Sequence, residues 1–123
     1  MRVMESSVLL QGVRVYAFHG VFPQEKAVGN WFAIDVEVDV DFSMAMRTDS
    51  LRGTVSYADI YSTIVSQMVT PSQLLEHVAG RIAQALLREY PAISRVRLRL
   101  VKESPPIKGL RCEGCGVKLD VCR

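Results

Sequence analysis

Three cysteines carry the most conspicuous chemistry in this sequence, because Cys112, Cys115 and Cys122 all lie in its last dozen residues. The first two form a C-x-x-C pair, a spacing found in zinc sites, whereas a disulfide scaffold is not expected from three cysteines. Structural zinc needs four ligands, and the only histidines, His19 and His77, have no metal-site spacing to this pair. The odd number leaves at least one thiol outside any internal pair. We therefore expect three reduced thiols in a terminal hairpin and no bound metal.

Glu25 is the second candidate for chemistry, because of the segment that contains it. Residues 19–30 contain glycine, proline and asparagine, and these residue types favour turns over helices and strands. The sequence therefore predicts a loop of more than ten residues there. Loops of that length in compact domains are often functional. The carboxylate of Glu25 is therefore a candidate site group.

Size and composition restrict the class of protein. The chain has 123 residues, of which 49% are hydrophobic and 23% charged, and these values predict a single globular domain spanning residues 1–123. A net charge of +2 is too small for the basic face typical of nucleic-acid binding. The apolar runs are far shorter than the roughly 20 residues that cross a bilayer, and no secretion signal is visible. We expect a cytoplasmic protein that binds neither nucleic acid nor membrane.

Four strands are predicted to position the candidate groups. Apolar and polar side chains alternate strictly over residues 31–42, which predicts a long strand with one buried face. Residues 8–16 are rich in β-branched and apolar types and predict a strand that precedes the loop containing Glu25. Two further alternating stretches, residues 95–100 and 117–121, are separated by two prolines and a glycine. The sequence thus predicts two pairs of strands, one at each end of the chain.

Two helices are predicted between these pairs. Apolar residues recur at three- and four-residue steps over residues 56–69, the period of an amphipathic helix. A second helix is predicted to start at once, with Thr70 as its N-terminal cap and Gln73 completing a capping box. We expect it to end near Tyr90, because the following proline disfavours the helical conformation of that residue.

The element order β-β-α-α-β-β predicts an α+β fold, a four-stranded antiparallel sheet covered on one face by two helices. Two strands carry charge opposite their apolar face, acidic over residues 35–41 and basic over residues 95–99. Each row is interpreted as a solvated strand face. Subunit contact or the lining of a wet channel is the alternative for these rows.

Four short segments resemble, in order and spacing, the bacterial dihydroneopterin aldolase family. The resemblance covers essentially the whole chain and implies the tunnelling fold, in which four subunits close their sheets into a ring and two rings stack into an octamer. It also implies a pterin site between neighbouring subunits. The four segments are YAFHGV at residues 16–21 with Glu25 downstream, TVSY at residues 54–57, LLEH at residues 74–77 and KESPPI at residues 102–107.

The resemblance also implies roles for individual residues. Glu76 would anchor the pterin, with Leu75 and Val55 as backbone contacts. Lys102, Tyr57 and Glu25 would lie near the reacting side chain, so the catalytic residues implied are Lys102, Tyr57 and Glu25, and the substrate-binding residues are Glu76, Leu75, Val55 and Glu25. The chain departs from many relatives at Ser56, where they have histidine, and in its cysteine-rich end.

The chemistry implied for this family needs neither metal nor cofactor. A carboxylate such as Glu76 can accept both the 2-amino group and the adjacent ring N–H of a pterin. The C=N bond of a dihydropterin accepts the electrons of the bond that breaks, so the protein need only move protons. Lys102 is the expected acid/base group, and to act as a base near neutral pH a lysine must be desolvated or lie near a cation.

Two alternatives to an aldolase remain open at this point. An epimerase of dihydroneopterin triphosphate would use the same bond cleavage and re-formation, and a 2′-epimerase side activity would accompany the aldolase. The epimerase needs a cationic cluster for the triphosphate, and only Lys108 and Arg111 lie near Lys102 in sequence. A non-catalytic pterin-binding protein of the same fold would need only Glu76, so Tyr57 and Lys102 argue against it.

Overall fold

The computed structural model describes residues 1–123 and contains one four-stranded antiparallel sheet with strand order β1-β2-β3-β4. The predicted α+β class, a sheet covered on one face by two helices, is confirmed. The strands are β1 (Ser7–Ala17), β2 (Asn30–Asp39), β3 (Arg95–Lys102) and β4 (Cys115–Cys122).

The predicted alternation in β2 is present, but this strand ends earlier than the sequence pattern suggests. The alternate apolar side chains up to Val40 are buried, whereas Phe42 lies outside the strand at the start of a short helix. The Asp41 carboxylate accepts hydrogen bonds from the Ser43 N–H at 3.0 Å and from the Ser43 hydroxyl at 2.6 Å. This local bonding turns the backbone out of the sheet at the point where alternation alone would continue the strand.

Two long helices cover the apolar face of the sheet. The first, Tyr57–Met68, is capped by the hydroxyl of Ser56, which accepts from the Ala58 N–H at 3.2 Å. The second, Leu75–Glu89, ends at the predicted place before Pro91. None of the helices is both long enough and apolar enough to cross a membrane. Both helices bury one stripe of side chains, namely Ile60, Thr63, Ile64 and Met68 of the first and Val78, Ala79, Ile82, Ala83, Ala85 and Leu86 of the second.

The predicted start of the second long helix is wrong. Thr70 and Gln73 form no capping box, and the helix begins four residues later with Leu74 as its cap residue. The intervening segment bonds to the β1–β2 connection instead. The Gly20 N–H donates to the Ser72 carbonyl at 3.0 Å, and the Ser72 N–H donates to His19 Nδ1 at 3.0 Å. These long-range bonds hold residues 70–74 outside a helix.

The sequence pattern does not predict two six-residue helices. Pro23–Val28 interrupts the predicted loop, with its proline at the first helical turn. Ser43–Thr48 follows β2 and leads into a 3-10 turn at Leu51–Gly53. Neither helix has a fully buried residue, so neither has the apolar period by which a helix is recognised. In chain order the helices are α1 (Pro23–Val28), α2 (Ser43–Thr48), α3 (Tyr57–Met68) and α4 (Leu75–Glu89).

The two charged rows lie side by side on the sheet face away from α3 and α4. The β2–β3 register places Asp35, Glu37 and Asp39 opposite the arginines of β3. Arg97 donates to Glu37 at 2.9 Å and to Asp39 at 2.7 Å. The rows are therefore cross-strand partners of opposite charge.

Candidate active site

Lys102 is the last residue of β3 and lies on its apolar face. This face carries the side chains at alternate positions of β3, namely Val96, Leu98 and Leu100. Lys102 continues this row on the side of the sheet that the helices cover. Only 9% of Lys102 is exposed to solvent. Burial of a charged amine is costly unless a partner compensates it. Lys102 is therefore a largely desolvated lysine whose charge needs a partner.

Glu25 on α1 is the partner of Lys102. The Lys102 ammonium donates to Glu25 Oε2, and Glu25 Oε1 accepts from the Phe22 N–H at 3.3 Å. A Cβ on residue 20 would lie 2.5 Å from the Glu25 Cβ. Glycine at position 20 therefore leaves the space that the Glu25 side chain occupies.

Glu25 is held as a carboxylate by its surroundings. Burial acts to raise the pKa of Glu25, but the Lys102 ammonium and the N–H groups of Phe22 and Val21 outweigh it, so the pKa lies below its ordinary value. The result is a charge-assisted pair between a carboxylate and an ammonium inside a cleft.

This cleft has a volume of about 410 Å³ and gathers four of the six predicted site residues: Glu25, Leu75, Glu76 and Lys102. Leu75 and Glu76 form the first turn of α4, whose cap residue Leu74 offers no side-chain acceptor. Their backbone N–H groups have no acceptor within the chain. Glu76 is exposed on the cleft side, so its carboxylate is available to a ligand.

Tyr57 and Val55 do not line this cleft. Tyr57 is the first residue of α3 and is 69% exposed. The Val55 side chain is buried in the core, whereas its backbone N–H and carbonyl have no hydrogen-bond partner in the chain. One chain therefore presents two separate sets of site residues, with Lys102 in one set and Tyr57 in the other.

A polar network around the buried His19 holds the segment that precedes α4. His19 is 1% exposed, and its Nδ1 accepts from the Ser72 N–H at 3.0 Å. Ser72 Oγ lies 2.8 Å from His77 Nδ1 and accepts from Arg81 Nη2 at 2.9 Å. Burial, together with the positive charges of Arg81 and Lys102, lowers the pKa of His19 to about 4. The neutral imidazole thus fixes the segment that leads into Leu75 and Glu76.

The sequence pattern missed Cys115 as part of this site. Cys115 lines the cleft and is the direct cross-strand partner of Lys102. All three cysteines are free and exposed, and the Cys112 and Cys115 sulfurs lie 4.0 Å apart. No three His, Cys, Asp or Glu side chains are grouped so that they could hold a metal ion. Only the β3–β4 register, which the sequence does not display, reveals the place of Cys115.

A buried lysine–carboxylate pair lies beside a free glutamate and unpaired N–H groups at one end of an α+β sheet, an arrangement suited to an enzyme that moves protons on a small polar ligand. The chain belongs to the dihydroneopterin aldolase family, FolB, whose profile matches residues 8–120. The resemblance seen in the sequence is thereby confirmed. The family match favours the aldolase of folate biosynthesis over the epimerase and over the non-catalytic alternative.

Relatives of known name agree with this assignment. The chain is 35% identical over 117 residues to the dihydroneopterin aldolase of Staphylococcus epidermidis, covering 94% of this chain and 96% of the relative. It superposes with a TM-score of 0.85 on Escherichia coli dihydroneopterin aldolase in complex with neopterin, at 28% identity over 94% of this chain and 98% of that chain. A Burkholderia dihydroneopterin aldolase bound to guanine shares the fold, with a TM-score of 0.77 at 22% identity over 97% of this chain and 92% of that chain.

Proposed function

We propose that this cleft binds 7,8-dihydroneopterin and cleaves it to 6-hydroxymethyl-7,8-dihydropterin and glycolaldehyde by non-covalent acid/base catalysis. The observation that carries the proposal is the buried Lys102–Glu25 pair, which shares one cleft with the free carboxylate of Glu76. We assign the proton transfer to the lysine and the recognition of a ring with two adjacent donors to the glutamate.

Recognition of the pterin rests on the first turn of α4. The Glu76 carboxylate accepts the 2-amino group and the adjacent ring N–H, which form a two-donor edge. The unpaired N–H group of Leu75 donates to an acceptor of the same ring, and the positive end of the helix dipole favours a partial negative charge there. The Escherichia coli relative was solved with neopterin, a ligand that presents this edge.

The reaction itself needs proton transfers only. A base takes the proton of the 2′-hydroxyl, the C1′–C2′ bond breaks, and its electrons enter the ring C=N bond, releasing glycolaldehyde. The resulting enamine is then protonated at C1′, which restores the C=N bond. Lys102, Tyr57 and an ordered water carry these protons, and Glu25 orients Lys102 and balances its charge.

The complete site requires a neighbouring subunit. Tyr57 and Val55 lie outside the cleft of their own chain, with the Tyr57 side chain exposed and the Val55 backbone groups unpaired. The outer edges of β1 and β4 are also unpaired in the single chain, and such edges template pairing with another copy. We place Tyr57 and Val55 of one subunit against the cleft of the next, in a ring of four that stacks into an octamer.

The direct test is incubation of the purified protein with 7,8-dihydroneopterin, with glycolaldehyde and 6-hydroxymethyl-7,8-dihydropterin as the measured products. Both products should appear in equal amounts without added metal. Binding of the substrate without release of glycolaldehyde would rule out the aldolase reaction. Borohydride treatment during turnover should leave Lys102 unlabelled, because no imine forms.

Subunit complementation tests the shared site. Lys102→Ala and Tyr57→Phe subunits are each expected to form poorly active homo-oligomers. When the two are mixed and reassembled, some interfaces combine an intact Lys102 cleft with an intact Tyr57. Recovery of activity above that of either variant is expected, and an absence of recovery in verified mixed oligomers contradicts the shared site.

A further inference from the structure

Two of the three cysteines form a close pair, and the third stands apart. The sulfurs of Cys112 and Cys115 lie 4.0 Å apart and both side chains are exposed. Cys122 lies at the other end of β4, opposite Arg95. The proposed aldolase chemistry uses none of these thiols, so the pair requires a separate explanation.

The position of Cys115 links the pair to the cleft. Directly opposed residues of antiparallel strands project to the same face of a sheet, so Cys115 shares the face of Lys102. Cys115 also lines the cleft, together with Pro105 and Pro106 of the β3–β4 connection. A Cβ on residue 114 would lie 2.8 Å from the Lys102 carbonyl oxygen, so the backbone between the two cysteines packs directly against the lysine.

The two thiols differ in their surroundings. Desolvation is the largest effect that raises the pKa of Cys115, Cys112 raises it further, and the Lys102 ammonium opposes both. The net rise keeps Cys115 a protonated thiol near neutral pH. Cys112 lies in the connecting loop outside the cleft lining, where a small oxidant can reach it without entering the site.

We propose that Cys112 and Cys115 are a thiol–disulfide pair, and that their oxidation by a low-molecular-weight disulfide reversibly slows turnover in the cleft that contains Lys102. The inference rests on the proposed function, because its effect is read in the aldolase reaction. The disulfide itself forms whether or not that reaction is the right one.

The exchange is balanced in two steps. The Cys112 thiolate attacks one sulfur of the small disulfide, forming a mixed disulfide and releasing one thiolate. Cys115 then loses its proton and attacks Cys112 Sγ, which breaks the mixed disulfide and releases the second thiolate. Overall, two protein thiols and one small disulfide give one protein disulfide and two small thiols.

Oxidation must move the wall of the cleft. The sulfurs have to approach from 4.0 Å to about 2 Å, a displacement of roughly 2 Å shared between the loop and Cys115. Misplacement by about 1 Å of groups that position a substrate can reduce turnover on the order of 100-fold. We expect oxidation to lower kcat about tenfold or more, with the fold intact because β4 remains paired along its length.

The test compares the full-length protein with Cys112→Ser and with the matched control Cys122→Ser. Each is equilibrated in a glutathione buffer with about tenfold excess of thiol over disulfide, so that a mixed disulfide on a lone thiol stays a minor species. Free thiols, intact mass and disulfide position are measured alongside kcat and KM. Each sample is assayed before oxidation, after oxidation and after reduction with dithiothreitol.

Wild type and Cys122→Ser should lose two hydrogen atoms, contain a Cys112–Cys115 bond and lose turnover that reduction restores. Cys112→Ser should form no internal bond and keep its turnover. A 112–115 bond that leaves kcat unchanged overturns the proposal, as does loss of turnover in wild type without that bond. Absence of aldolase activity in the reduced protein refutes the proposed function instead, and the mass measurement still decides whether the pair forms.

Discussion

Both faces of β3 carry basic side chains in ion pairs, but the two faces differ in their exposure to solvent. On the face away from the helices, Arg95, Arg97 and Arg99 pair with acidic residues of the neighbouring strands. On the other face a single cation, Lys102, pairs with Glu25. The Arg99 side chain is 58% exposed and the Lys102 residue is 9% exposed.

The contrast shows that pairing alone does not distinguish Lys102 from these arginines. Exposed pairs are screened by water and contribute little to stability. A buried cation has left water and keeps its charge through one specific partner, so its environment can direct reactivity. Burial in the row of Val96, Leu98 and Leu100 therefore separates Lys102 from the arginines beside it.

The largest expected effect tests this contrast at the level of turnover. Lys102→Met should reduce kcat on the order of 100- to 10,000-fold, because general acid/base groups contribute on that scale. Arg99→Met, on the opposite face, should change kcat little. Steady-state kinetics with 7,8-dihydroneopterin and a separate binding measurement decide the outcome. Comparable losses in both variants would show that the two faces are not distinct in function.

His19 is also buried, and its titration should make the free energy of unfolding depend on pH. Its folded pKa of about 4 lies below its ordinary value of 6.5, a difference equivalent to about 3 kcal/mol. Between these two pH values the unfolded chain binds more protons than the folded one, so the free energy of unfolding falls as the pH falls from 6.5 to 4. The full contribution is present above pH 6.5.

Urea unfolding at several pH values between 5 and 7 measures this dependence, in a range above the ordinary pKa of carboxylates. His19→Gln keeps an acceptor for the Ser72 N–H but does not titrate, so its unfolding free energy should vary less with pH than that of the wild type. Equal slopes for the two proteins would exclude His19 as the source.

The Lys102–Glu25 pair provides the next prediction, in the free energy of unfolding. Glu25→Gln leaves the Lys102 charge without a carboxylate and should cost about 2 kcal/mol, because the amide oxygen can still accept a hydrogen bond. Glu37→Gln is the matched control, since Arg97 retains Asp39. Denaturant unfolding above pH 7 should show a clearly larger loss for Glu25→Gln, and equal losses would contradict the role of burial.

The smallest effect belongs to the exposed Arg95–Asp120 pair. Asp120→Asn should lower the unfolding midpoint only slightly at low salt, and the difference should vanish in about 1 M salt, where the screening length is about 3 Å. Thermal unfolding at both salt concentrations measures it. A difference that persists in high salt would indicate a packing role rather than a screened charge pair.

Elements with a strong apolar period were predictable from the sequence. The alternating strands and α3 lie close to where they were expected, and α4 ends before Pro91. The start of α4 was not predictable, because the bonds between Ser72 and the His19–Gly20 segment join positions about fifty residues apart. α1 and α2 are too short and too exposed to leave a period in the sequence.

Most of the candidate site was predicted through resemblance, although Glu25 was also predicted from its long loop and Lys102 had a local signal in β3. The alternation of Val96, Leu98 and Leu100 places Lys102 on the buried face, although a strand-end lysine taken alone is expected in water. The cleft position of Cys115 had no such signal, because it depends on the β3–β4 register. The separation of Tyr57 from Lys102 depends on folding across the whole chain.

The alternation of apolar and charged side chains along β3 also constrains the number of residues in this strand. Loss of one residue within β3 would shift the register on one side of the deletion by one and turn that part of the strand over. Depending on where the residue is lost, arginines would enter the core or Lys102 would point away from Glu25. Homologues can therefore exchange residues along this strand far more readily than they can gain or lose one, and alignments of the family should be free of gaps across it.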